Sequence, residues 1–156
     1  MAGRRHQRSV AALAGWVCAA VAAAVLMGGC AGDGTDLTDA SGGTFAELQA
    51  RVFDTRCALG PCHSSAAAAG GLVLESAFAY DELVGITPSN DAARAAGLLR
   101  VAPGEPERSF LWRKLTNPGP GEGSRMPLGG EPLPEAELEE IRVWILAGAP
   151  RTGTGH

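Results

Sequence analysis

Apolar residues recur at helical spacing near both ends of the central stretch of this chain, and glycine and proline crowd the gaps between. Phe45, Leu48, Val52 and Phe53 fall at i, i+3, i+7 and i+8, one stripe of a helix running to about Arg56. Thr44 with Glu47 three positions on forms a capping box that starts it. Leu138, Ile141, Trp144 and Ile145 make a second stripe on a helix opened by Pro134 and stopped by Gly148 and Pro150. Its early acids, Glu135, Glu137, Glu139 and Glu140, suit the positive end of the helix and a solvated face.

The middle predicts shorter pieces. A helix is expected around 77–84, with Phe78 and Leu83 turned to the core. Another is expected in "PGEPERSFLWRKL", where Pro106 suits the first helical position, Glu105 and Glu107 its positive end, and Arg113 and Lys114 its negative end. Phe110, Leu111, Trp112 and Leu115 form its inward side. "GLVLE" near 72 and "LLRVA" near 99 are short extended segments expected to pair. Residues 116–132, "TNPGPGEGSRMPLGGEP", hold too many Gly and Pro for any regular element and must form a loop. The fold class that follows is all-α, with at most one short two-stranded extended pair.

The N-terminus states where the chain goes. Arg4, Arg5 and Arg8 precede an apolar run from Val10 to Met27, and Gly28-Gly29-Cys30 follow. A positive segment, an apolar segment and small residues at the cut describe an export signal. Cysteine directly behind those residues fits a bacterial lipoprotein signal over residues 1–29, with Cys30 lipidated as the mature N-terminus. The run is also long enough to span a bilayer, so an uncleaved anchor is the alternative. Either way the remainder is expected on the periplasmic side, tethered to a membrane. Ala31 after Cys30 lacks the aspartate that retains some lipoproteins at the inner membrane, which leans the placement toward the outer one. Residues 30–43 read as a flexible linker, residues 44–150 as one domain with a single small core, and residues 151–156 as a disordered tail.

Cleavage changes the inventory. Of four cysteines only Cys57 and Cys62 remain in the folded part, Met126 is the sole methionine, and His63 is the sole histidine besides the terminal His156. Three of the thirteen basic residues precede Cys30, leaving ten against seventeen acidic ones, a net charge of −7. That balance argues against nucleic acid, whose phosphates need clustered Lys and Arg.

The chemistry concentrates in "CALGPCHSS", residues 57–65. Covalent haem attachment needs two thiols for two vinyl groups and a histidine close behind to bind the iron. CxxCH is the usual spacing; four residues intervene here, and Gly60 and Pro61 permit the extra two to bulge away. Met126, alone in an irregular loop and followed by Pro127, could place its sulfur on the face opposite His63, completing a His/Met pair. Other uses stay open on the residues alone. Cys57 and Cys62 could form a disulfide in an oxidised compartment, Met126 could be core filling, and structural zinc would have to recruit His156 as a fourth ligand. Phe53 and Trp144 fit helix packing better than haem contact, and Arg125 fits an exposed surface position better than a propionate contact. No Ser/His/Asp set, phosphate loop or carboxylate dyad stands out, so no enzyme is expected.

Taken together, "FAELQARVFDTRC", "CH", "RVAPGEPERSFLWRKL", "RMPLGG" and "RVWILAGA" resemble the small bacterial class I cytochrome c domains, in particular the planctomycete-type group, over roughly residues 44–150. The resemblance implies a helical domain around one covalent haem c, with thioethers at Cys57 and Cys62, His63 as proximal iron ligand and Met126 as distal ligand. It implies electron transfer to redox partner proteins through an exposed haem edge. The alternatives are a haem-free, disulfide-stabilised lipoprotein module, or a five-coordinate haem sensor or enzyme if Met126 is not a ligand.

Overall fold

In a computed structural model, residues 44–152 are described; the signal segment, Cys30, the linker and the end of the tail lie outside them. Thr44 starts the first helix with both halves of the capping box: its hydroxyl accepts the Glu47 N–H, and the Glu47 carboxylate accepts the Thr44 N–H at 2.6 Å. Helix α1 (Phe45–Leu48) runs directly into π-helical turns over Gln49–Cys57. Sequence periodicity predicted ordinary α-helix there. The stripe nonetheless faces inward, with Phe45, Leu48, Val52 and Phe53 all buried.

Four further helices follow: α2 (Ala79–Leu83), α3 (Asp91–Ala95), α4 (Phe110–Leu115) and α5 (Glu135–Leu146). Helix α5 lays Ile141, Trp144 and Ile145 against the α1 stripe. Phe45 links the two, its ring centroid 5.4 Å from Trp144, 5.8 Å from Phe53 and 5.1 Å from Tyr80. Two ion pairs at 3.0 Å, Arg51 to Glu140 and Arg56 to Glu137, join the same helices at the surface. Glu137 and Glu140 are therefore not a simple solvated face. Pairs this exposed contribute about 0–1 kcal/mol each, so their role is to set helix orientation more than to add stability.

The middle of the chain departs from its predicted elements in three ways. Phe78 is 50 % exposed. Helix α2 begins two residues later than expected, at Ala79, so the buried pair at i and i+4 is Ala79 and Leu83, and Phe78 stands ahead of the first turn. The predicted helix after Glu105 is split at Ser109 into a 3₁₀ turn (Pro106–Arg108) and α4. Ser109 is fully buried in an extended conformation; its hydroxyl accepts the Ala102 N–H at 2.9 Å and donates to the Glu105 carbonyl at 3.0 Å. Its side chain thus offers the backbone partners that a continuous helix would need elsewhere.

The expected pairing of the segments near 72 and 99 does not form. Among the described residues there are only isolated bridges, Val84 with Val101 and Leu99 with Ser109. The carbonyls of Leu99 and Arg100 instead accept the first N–H groups of α4, from Phe110 at 2.7 Å and Leu111 at 2.9 Å, donors that a helix start leaves unpaired. The segment near 99 thereby caps a helix, and the regular structure of the described residues is all-helical.

Helix α3 was not legible in the apolar pattern. The Asn90 side chain accepts the Ala93 N–H at 2.9 Å at its start. At its end Leu98 donates to Ala93 and Gly97 to Arg94, with Gly97 at φ 68°, the hydrogen-bonding pattern of a Schellman stop.

Candidate functional site

The segment around the two cysteines is shaped by backbone hydrogen bonds. The π-helical turns end as the Ala58 N–H reaches the Phe53 carbonyl at 2.7 Å, which leaves Cys57 at the helix terminus. A tight turn follows, Cys62 N–H to Leu59 carbonyl at 2.8 Å, and the His63 N–H closes back on the Cys57 carbonyl at 3.1 Å. The residues in excess of a two-residue spacing bulge outward, with Leu59, Gly60 and Pro61 exposed. The Leu74 N–H then donates to the His63 carbonyl at 2.7 Å, fixing the far side. Cys57 and His63 are thus neighbours although they lie six positions apart in sequence.

Cys57, Cys62 and His63 all line one cavity of about 650 Å³, and Met126 lines it too. The rest of the lining is mainly apolar, including Leu72, Leu74, Leu83, Leu111 and Leu115. The volume lies within the ~300–1,000 Å³ range of cofactor and ligand sites. Leu59 and Leu128, 46 % and 71 % exposed, stand with Pro61 and Pro127 along the lining, so the cavity has an apolar edge in contact with solvent. Phe53 and Trp144 do not line it; they pack between α1 and α5.

The imidazole is oriented. His63 Nδ1 lies 3.2 Å from the Leu72 carbonyl oxygen, which can only accept, so Nδ1 carries a proton and in the neutral ring Nε2 keeps its lone pair. A backbone acceptor behind a histidine is the usual support of a metal-binding imidazole. The thioether side is equally tied to the frame: the Met126 N–H donates to the Lys114 carbonyl at 2.7 Å at the end of α4, and the side chain packs on the core. The Met126–Pro127 peptide is cis.

Both cysteines are free thiols. Burial pushes the Cys57 thiol up to about 12, with Cys62 and Glu137 adding to the rise and Arg56 opposing it. As a free thiol, Cys57 is therefore expected to alkylate at pH 8 on the order of a thousandfold more slowly than a free cysteine, because so little thiolate is present. The deficit should shrink as the pH climbs toward that value. Timed iodoacetamide quenching with peptide mass analysis measures it, and a free-cysteine rate at pH 8 would show the thiol to be open to water.

Three cations line the cavity, each held by other groups. Arg56 pairs with Glu137, Arg100 with Glu82 at 2.6 Å and with the Gly71 carbonyl, and Lys114 with loop carbonyls. Burial lowers the Lys114 ammonium from its ordinary value, with Glu122 pulling the other way. Arg125 is half-buried, and its Nη1 has no hydrogen-bond partner, in contrast to the exposed arginine expected there.

Sequence reasoning did not find Glu122. This carboxylate is buried, lines the same cavity and is paired with Arg113 at 2.7 Å. The available signal was a lone acid among glycines and prolines, four residues before the lone methionine. Arg113 and Lys114, assigned to helix-end electrostatics, reach into that loop.

Among the described residues no three His, Cys, Asp or Glu side chains converge as they would on a metal ion, and no helix is long and apolar enough to cross a membrane. One imidazole, one thioether and two thiols on one largely apolar cavity are a donor set that could hold a tetrapyrrole, whose ring supplies four nitrogens. In comparisons with known proteins, no family model, no curated protein and no solved structure matches this chain.

Proposed function

We propose that residues 44–150 form a monohaem c-type cytochrome of the class I kind, which passes electrons on the periplasmic side of a membrane to which lipid at Cys30 tethers it. The observation that carries this is the convergence of Cys57, Cys62, His63 and Met126, drawn from positions up to 69 residues apart, on one apolar cavity of about 650 Å³. Cys57 and Cys62 would hold the ring through thioethers, and His63 Nε2 and the Met126 sulfur would hold its iron. Bound there, haem supplies a reversible one-electron couple.

The chain's own residues do the rest. Leu72 holds the imidazole proton on Nδ1, which keeps Nε2 available as a donor. The apolar lining disfavours the extra positive charge of an oxidised iron, and a thioether ligand acts in the same direction, so the potential is raised. An iron held by both His63 and Met126 would leave small molecules no place to bind, which would favour electron transfer over catalysis. Leu59, Pro61, Pro127 and Leu128 offer an apolar edge against which redox partner proteins can approach.

Reduced spectra with and without carbon monoxide test the ligation. The expected result is a low-spin spectrum that carbon monoxide leaves unchanged over minutes. A prompt carbon monoxide shift in the unaltered protein would mean an open sixth position, and would favour the five-coordinate sensor or enzyme.

A further inference from the structure

The loop carrying Met126 has no regular hydrogen bonding of its own, yet it is gripped at several points by two consecutive residues of α4. Arg113 meets the Glu122 carboxylate with two nitrogens, Nη2 at 2.7 Å from Oε1 and Nε at 3.1 Å from Oε2. The Gly119 N–H donates to the same Oε2 at 2.6 Å. Lys114 donates to the carbonyls of Glu122, at 3.1 Å, and Ser124, and its own carbonyl accepts the Met126 N–H. A Cβ built on Gly119 would sit 2.6 Å from Arg113 Nη2, so the guanidinium occupies the space a side chain there would need.

A carboxylate only 4 % exposed is costly to desolvate, and such pairs are poor stabilisers compared with apolar packing of the same shape. The pair does define the path of a segment whose glycines and prolines define none. We infer that Glu122 is a positioning residue for Met126: clamped by Arg113 and the Gly119 N–H, it sets where the loop presents the thioether to the cavity. This rests on the His63/Met126 ligation proposed above. Loss of the clamp leaves the thiols and His63 in place, because they belong to a different segment, and loosens only the sixth ligand.

The test uses the mature haem protein in four forms: unaltered, Met126→Ala, Glu122→Ala and Ile145→Val, the last a core change away from the cavity. The readouts are the long-wavelength absorption of a thioether on ferric iron and the fraction of ferrous haem taken by carbon monoxide. Removing a supporting partner typically weakens ligation by roughly 10–100-fold. Glu122→Ala is therefore expected to lose most of the thioether band and to gain carbon monoxide binding by that order, with covalent haem retained, while Ile145→Val keeps the unaltered spectrum. If Met126→Ala changes neither readout, the ligation itself is wrong. If Met126→Ala changes both but Glu122→Ala changes neither, Glu122 is not a positioning residue. Should Glu122→Ala fail to fold, Glu122→Gln and Gly119→Ala weaken the same clamp from its two sides and are read the same way.

Discussion

Replacing His63 with alanine is expected to reduce the haem content of the mature protein to background, the largest single effect in the molecule. His63 is the sole imidazole of the domain besides the chain-terminal His156. It lines the cavity, and with Nδ1 taken by the Leu72 carbonyl at 3.2 Å, Nε2 is the ring nitrogen left to bind a metal. Without that nitrogen the haem ring would not be held beside Cys57 and Cys62 while the thioethers form, so attachment would fail before it becomes permanent. The pyridine adduct absorbance per mole of protein measures the content. His63→Gln keeps the volume without the nitrogen donor and should behave as His63→Ala does. A variant that keeps a low-spin spectrum at full content would remove His63 from the iron.

Trp144→Ala is expected to cost about 3–5 kcal/mol, as for other buried aromatics truncated in a core. The residue is fully buried, its ring lies among Phe45 and the α1 stripe, and its indole N–H donates to the Pro150 carbonyl at 2.9 Å. A domain of this size has about 5–15 kcal/mol of stability in total, so the loss approaches the whole. Tyr80 shares the same closure, its hydroxyl donating to the Ala149 carbonyl at 2.9 Å, and cannot replace the missing volume. Denaturant midpoints should fall sharply for Trp144→Ala and less for Trp144→Phe, which keeps an aromatic ring and loses the N–H. Equal midpoints for Trp144→Ala and the unaltered protein would mean that α5 does not close the core.

Both ends of the domain were legible because burial there follows a simple period. The Thr44 box and the Phe45, Leu48, Val52, Phe53 stripe stand as the letters suggested, as do Ile141, Trp144 and Ile145 on α5. The middle was less legible because tertiary partners decide it. Ser109 interrupts a helix that local propensity favours, since Ala102 and Glu105 supply its hydroxyl with backbone partners. Phe78 is exposed because α2 starts two residues later than its composition suggests. Helix α3 buries only Ala93, so no stripe announces it, although Asn90 and Gly97 mark its two ends.

The candidate site divides in the same way. Cys57, Cys62 and His63 could be grouped from spacing because a short closed turn brings them together. Met126 could be grouped only by its solitude. Its frame, Glu122, Arg113 and Gly119, is invisible to spacing, since a carboxylate among glycines reads as solvated loop until the fold wraps it onto α4.

The most direct measurement is the intact mass of mature protein after denaturation and removal of loose pigment, read together with the state of Cys57 and Cys62. One haem added to the polypeptide, surviving denaturation and mapping to the peptide that contains both cysteines, is the expected result. A colourless polypeptide of unmodified mass, or one whose two sulfurs are bonded to each other, would contradict it.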